Sequence, residues 1–598
     1  MLTCNVLSIV YNTHLSKHTG GNGMRKLGQN LRVGTIVVAI SMIASVAFSN
    51  AGSASSSKSD TSHSTAHVSG TVIVGEEQWP TCVNPLTQCA ASTTNWWAVF
   101  EEVLPTALTV NAQGDYVASP LITEIPTAAN GGVKTNPLRI TYHLNPSANW
   151  TDGTPITSAD FAFTWRAILN TPNAYTTSGY TDIASIDTSQ PKTVVITFKN
   201  TYSSWQSLFG GVYQGIIEAH AFPTLENSAK PDLSNMMANS IPFSGGPWIL
   251  QSFSQTQEVL VPNTNYWGKI PNLSELVVVP ESDQSTEVAS LLAGQVDAIQ
   301  PQTPSSSLVA EMKSAPNVKQ IGGGGLFDEA VWFNDNKAPL NNVRVRQALL
   351  YAINGKAVIN TVIKPIASGA TVLNCGLISY PTVGQFCKDK VFAKYTYNPK
   401  KSLALLKAAG YKCTNVPRQP CAKNGKPLNL IYSTTVPNTV RTSGQQIIVQ
   451  DAHAAGFNIE IKNFPASILF SDIAPKGNFN LIEYANGGTP APSDTPYFGC
   501  ANIPTKKNKY SGGNWPQWCS PQANRLMLQS DATLNPAQQA ADLTKVYQLE
   551  AAQAVSDPLY LLPSNGAWRT DKVTGPVSQY VESFLGMLYN ANYWSAAP

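Results

Sequence analysis

At 598 residues the chain is too long for one hydrophobic core, and at about 150 residues per domain it divides into two to four. Only 13% of its residues are charged, and the 39 basic and 36 acidic side chains, net +3, form no long run. That excludes the electrostatic footprint of a nucleic-acid or anionic-lipid binder. Residues 33–48 alone are apolar enough to suggest a membrane, and they fall short of the ~20 residues a spanning helix needs, so a multi-pass membrane protein is excluded as well.

That apolar run follows a basic segment (Met24, Arg25, Lys26, Arg32) and precedes small residues at 49–54. Residues 1–54 therefore read as an export signal, with Met24 as the true start; an uncleaved N-terminal anchor is the alternative. No cysteine follows the run closely enough for lipoprotein processing. Residues 55–69, rich in Ser, Thr and His, have no apolar periodicity and read as a flexible tether. The expected location is the extracellular or envelope side of a bacterial membrane. Cysteine use fits export. Beyond Cys4 the cysteines form four sequence-local couples: Cys82 with Cys89, Cys375 with Cys387, Cys413 with Cys421, and Cys500 with Cys519. Many connectivities are open to eight cysteines, and pairing of neighbours is the economical one. No couple has the C-x-x-C spacing of a zinc knuckle, so no metal is expected.

The mature chain opens with GTVIVG at 70–75, a β-branched run that reads as a buried strand. LRITYHL at 138–144 alternates as a strand. After a turn at 149–152, Thr157 opens a helix with Asp160 completing a capping box and Ile156 placed to staple against Phe161. Residues 192–199 alternate again, 248–253 with 259–262 suggest a hairpin, and 276–279 read as a short buried strand before a helix at 285–293. Gly322, Gly323, Gly324 and Gly325 lie beside a strand within 320–334, and glycine tolerates the dihedral changes of a hinge; a plain flexible loop accounts for them equally well. Helices follow at 343–354, 399–409, 443–455 and 536–555, with strands at 458–463 and 558–562. The alternation of strands and helices argues an α/β fold.

Catalytic chemistry is thinly supplied. His143, His220 and His453 are scattered, and neither H-E-x-x-H nor G-x-S-x-G occurs. The adjacent acids Glu76 with Glu77 and Glu101 with Glu102 read as groups that point apart or form a solvated face. No enzyme and no cofactor are expected.

Five blocks then carry a resemblance. They are YHLNPSANWTDGTPITSADFAFTWRAIL (142–169), GPWILQSFSQTQEVLVPNTNYWG (246–268), ASLLAGQVDA (289–298), VWFNDNKAPLNNVRVRQALLYAI (331–353) and YNPKKSLALLKAAGY (397–411). In content and order the chain resembles the family 5 extracellular solute-binding proteins, the peptide/nickel-type receptors of ABC importers. Most of these residues identify the fold without touching ligand: Trp150, Asp152 and Gly153 make a turn, Arg344 and Arg346 fix a helix by ion pairing, and Tyr266 and Trp267 fill a core.

The resemblance implies an α/β, two-lobed, type II periplasmic-binding-protein-like fold with an extra subdomain and two crossing strands as hinge. Mapped here, residues 70–92, 240–333 and 565–598 make the first lobe, 93–239 its inserted subdomain, and 334–564 the second lobe, with closure about the glycines and the strand at 559–562. It also implies a monomeric receptor that captures an oligopeptide or similar solute and delivers it to a membrane permease. An oligosaccharide-binding or ligand-sensing relative is the alternative, and a secreted hydrolase the alternative of another class. In peptide-binding members an acid pairs with the peptide's α-ammonium. The corresponding stretch, FNLIEYANGGTPAPSDTPYFGC (479–500), places Asn480 at the first acid and Asn486 near a tryptophan's place, leaving Asp494 as the remaining candidate. Trp79, Trp96, Tyr484, Asn486, Thr489 and Asp494 are the expected cleft residues, in a site that favours an uncharged or modified terminus unless Asp494 compensates. Core packing explains each ring equally well when taken alone.

Overall fold

The structure is a computed structural model that describes residues 69–111, 115–210, 215–281, 283–376, 389–487, 493–576 and 586–598. The signal, nearly all of the tether, Cys387 and Thr489 lie outside them. Its frame is a ten-stranded sheet. In chain order the strands are β1 (Thr71–Glu76), β2 (Trp248–Phe253), β3 (Glu258–Pro262), β4 (Glu275–Pro280), β5 (Ala298–Ile299), β6 (Val318–Phe333), β7 (Asn429–Ser433), β8 (Asn458–Ile461), β9 (Leu481–Gly487) and β10 (Ser556–Arg569). Across the sheet they run β8-β7-β9-β6-β10-β5-β1-β4-β3-β2. β1 pairs in parallel with β4 and β5, and β7 in parallel with β8 and β9, while β6 and β10 pair antiparallel along their length. This is the expected two-lobed arrangement, with a parallel cluster at each end and two long antiparallel strands between.

The sheet is covered on both faces around β6, as a strand with a nearly continuous apolar run requires. Val331 and Phe333 enter one core with Leu349, Tyr432, Leu481 and Leu559. Ala330 and Trp332 enter the opposite core with Ile482, Tyr484, Phe498 and Trp518. Beside β1 to β4 lies a second, four-stranded antiparallel sheet (Val133–Thr135, Leu138–His143, Thr193–Phe198, Ile183–Asp187). The helix Ser158–Asn170 has the expected capping box between Thr157 and Asp160.

The largest difference from expectation is at the glycines. They do not lie beside a strand but within one: Gly322, Gly323 and Gly324 pair with Asn565, Ser564 and Pro563, and the register then shifts before Asp328 meets Leu561. The chain therefore stays in the ladder on either side of a bulge. β10 likewise extends well past the expected 558–562. The helix expected from 443 begins at Thr439, because the Asn438 side chain accepts from the Arg441 backbone N–H at 2.9 Å and starts it earlier. The helix Pro521–Asp531 and the strands β7 and β9 had no periodicity distinct enough to be expected.

Three smaller readings are corrected. Tyr266 and Trp267 are half-buried and pack on each other, with centroids 4.8 Å apart, rather than filling a core. Arg346 does pair with Asp335, at 3.0 Å, but Arg344 is exposed and has no ion pair among the described residues. Glu76 and Glu102 are buried, not part of a solvated face. Disulfides join Cys82 to Cys89, Cys413 to Cys421 and Cys500 to Cys519 as expected, and Cys375 is disulfide-bonded.

Candidate functional site

A cavity of about 360 Å³ lies where β6 and β10 cross, with Phe327 and Leu562 from the crossing strands in its wall. One side is built by residues that follow β1 and by the segment beside the four-stranded sheet. There Trp96 meets Tyr175 edge to face at 5.9 Å, and Trp97 meets Phe327 at 6.2 Å. A polar chain backs them: Gln78 Nε2 donates to Gln302 Oε1 at 2.9 Å, and Gln302 Nε2 to Thr93 Oγ1 at 3.1 Å. Opposite stands an aromatic bank from the far end of the sheet. Tyr484, projecting from β9, lies 5.2 Å from Trp515 and 6.0 Å from Phe470, and Phe470 stacks on Trp515 at 5.9 Å. Trp332 of β6 stacks behind Tyr484 at 5.3 Å and fixes its ring.

Arg441 reaches the wall from the first turn of the helix Thr439–Ala454. Its Nε and Nη2 donate to the two oxygens of Glu329, at 3.0 and 2.8 Å, and its Nη1 to Thr435 Oγ1 at 2.8 Å. Both partners are buried. Beneath them burial, and then the neighbouring Glu329, push the Glu483 carboxyl up to about 8, and Tyr432 donates its hydroxyl hydrogen to it. Behind Gln302 of the opposite wall, whose backbone N–H donates to Glu77 Oε1 at 3.0 Å, burial pushes the Glu77 carboxyl up to about 7. Hydrogen bonds also cross between the two sides of the cavity. Ser203 donates its N–H to Asp531 O at 2.6 Å and its hydroxyl to Ser530 O at 3.2 Å, and Gln539 Nε2 donates to Ser203 Oγ at 3.0 Å. Thr439 Oγ1 donates to Gln284 Oε1 at 3.2 Å.

Of the expected cleft residues, the structure brings Trp96, Tyr484 and Asn486 together in this wall. Trp79 stands at a small neighbouring recess with Phe470, its indole N–H donating to Ser254 O at 3.1 Å. Asp494 is fully buried and does not line the cavity. Burial, then Asp531 and Asp328, push its carboxyl well above the usual range, so it is not placed to meet an ammonium group. Among the wall residues that sequence reading missed are Tyr175, Phe470, Trp515 and Arg441.

Away from the cavity, Asp152 Oδ2, Glu218 Oε1 and His220 Nε2 lie within 4.8 Å of one another and could hold a divalent ion. The imidazole Nε2 already sits 2.7 Å from Asp152 and 2.6 Å from Glu218, which as an imidazolium between two carboxylates accounts for the group.

With the geometry in hand, residues 125–506 match the model of the bacterial extracellular solute-binding proteins, family 5. The chain belongs to that family. Among its relatives, the haem-binding protein A of Haemophilus influenzae is 31% identical over 231 residues, 38% of this chain and 40% of that protein. The oligopeptide-binding protein OppA of Mycobacterium tuberculosis is 24% identical over 449 residues, 73% of this chain and 71% of its own length. The structure of the oligopeptide-binding protein AppA of Bacillus subtilis, in complex with a nonapeptide, superposes with a TM-score of 0.76 at 18% identity, covering 89% of this chain and all of that one (100%). Family 5 proteins are extracellular solute-binding proteins, and no described helix here is long and apolar enough to cross a membrane.

Proposed function

We propose that this family 5 protein is the non-catalytic capture component of an ABC importer, taking an oligopeptide or similar solute between its lobes and delivering it to a membrane permease. The observation that carries this is a cavity walled from both ends of one sheet and crossed by only two strands. A solute there touches both sides and so stabilises the closed form. The described lining contains no carboxylate, imidazole or thiol, which favours capture over turnover. Residues 70–92, 240–333 and 565–598 serve as the first lobe, 93–239 as its inserted subdomain and 334–564 as the second lobe. Trp96, Tyr484 and Asn486 hold the solute, with Trp79 at the rim and Thr489 in the segment after β9. Gly322, Gly323, Gly324 and Gly325, which lead into the bulge before Asp328, are the hinge.

Small-angle scattering of the exported chain tests this. Ligand reduces the radius of gyration, and denaturation returns that ligand chemically unchanged. A ligand that is consumed, or that binds without compaction, would overturn the reading.

A further inference from the structure

Building on the receptor reading, we infer that the part of the solute held in this cavity carries no formal charge, and that the cavity recognises ring faces together with neutral hydrogen-bonding groups. Among the described lining residues Arg441 is the sole charged side chain, and its guanidinium is already engaged by Glu329 on two nitrogens and by Thr435 on the third. A ligand carboxylate would find only the two remaining N–H groups of a guanidinium whose charge Glu329 already offsets. A ligand ammonium would find no carboxylate in the described wall.

Both acid positions of the strand-to-helix segment are also unavailable. Asn480 occupies the first, and its side chain is spent on the backbone, accepting from Ile431 N at 3.0 Å and donating to Ala338 O at 3.5 Å. Asp494 is buried behind the wall. Between residues 69 and 598, the segments outside the described residues contain only two charged side chains, Lys388 and Glu582. Burying an ion without a counter-charge costs far more than burying a neutral group with its hydrogen bonds made. The cavity therefore discriminates against charge.

What the wall offers instead is two banks of rings, Trp96 with Tyr175 and Tyr484 with Phe470 and Trp515, together with amides such as Asn486. Flat faces suit ring or apolar groups, and amides both donate to and accept from hydroxyls and peptide groups. Neutral oligosaccharides and peptides with blocked or cyclised ends share this chemistry.

Calorimetry on the exported chain separates the sources. The probes are a tripeptide with free ends, the same tripeptide N-acetylated and C-amidated, neutral di- to tetrasaccharides, and a metal chelate of net charge. A blocked peptide at least about tenfold tighter than its free form, or a neutral oligosaccharide that binds where the free peptide does not, is expected. The affinity should be indifferent to salt between about 0.05 and about 0.5 M, because no unscreened charge pair is formed, and Trp515→Ala should weaken it by about tenfold or more. A free peptide or charged chelate that binds as tightly as the neutral probes, or more tightly, overturns this inference and leaves the receptor reading standing if scattering still shows compaction. Binding by none of the four classes overturns both.

Discussion

Arg441 stands in the cavity wall with Glu329 behind it, both at almost no exposure, and what stabilises such a pair is its completeness. Removing one partner leaves an uncompensated buried charge, so Glu329→Gln should destabilise the chain by about 3 to 5 kcal/mol, whereas replacing both residues with apolar ones of similar volume should cost far less; urea denaturation of the single and double variants measures the contrast. Other buried acids make the opposite kind of contribution. Glu102 and Glu258 are 2% and 0% exposed, and burial pushes each up to about 8. Among the described residues neither oxygen of Glu258 has a hydrogen bond. In the unfolded chain a glutamate titrates near 4.3. A folded value above the unfolded one means stability that is complete below about 4.3 and lost as pH rises through about 8. The thermal midpoint should therefore fall between about pH 5 and about pH 9, and Glu258→Gln should flatten that fall. A midpoint that rises over this range would contradict the burial of these groups.

At the scale of elements, much of the fold was legible because local chemistry and tertiary structure agree. The capping box at Thr157 and Asp160 and the alternation of 138–144 and 192–199 each name an element that the packing then keeps. β9 was illegible for the opposite reason, since Leu481 and Ala485 serve one core and Ile482 and Tyr484 the other and show no single period, while β7, with Leu430 and Tyr432 in one core, is only five residues long. Within the cavity, Tyr484 was legible as an aromatic of the family's ligand stretch and Trp96 as a ring expected in the cleft, but Phe470 and Trp515 come from irregular segments that only the folded chain brings together. Asp494 was misplaced because sequence gives no sign of which way a residue faces after a proline-rich stretch. Close approach can be tested at one loop. Gly456 has φ of +92°, and a Cβ there would lie 2.5 Å from Sγ of Cys421, within the Cys413–Cys421 disulfide. Gly456→Ala should cost about 1 to 3 kcal/mol in chemical denaturation. At the proposed hinge, a Cβ on Gly322 would lie 3.2 Å from Ser564 O and 3.3 Å from Asn565 Oδ1. Gly322→Val should crowd the ladder and shrink the ligand-dependent change in radius of gyration relative to the parent chain.

For the whole molecule, the contacts across the cavity bear on how long a solute stays. Ser203 makes two hydrogen bonds through its hydroxyl and one through its backbone to the segment at Ser530, Asp531 and Gln539. Ser203→Ala removes the first two, and at about 1 kcal/mol each the release rate should rise by about thirtyfold, with little change in association; stopped-flow displacement reads both. The continuous sheet has a further consequence for truncation. β6 and β10 each contribute one stretch to either end, so no cut in the chain yields a half with its own complete sheet. A fragment carrying only β1 to β5 would expose β5 where β10 now pairs, and one carrying only β7 to β9 would expose β9 where β6 now pairs. Bare strand edges of this kind recruit other chains. Neither half is a portable module, and expressed alone each should be insoluble, so grafting this specificity onto another receptor has to proceed by exchanging wall residues rather than lobes.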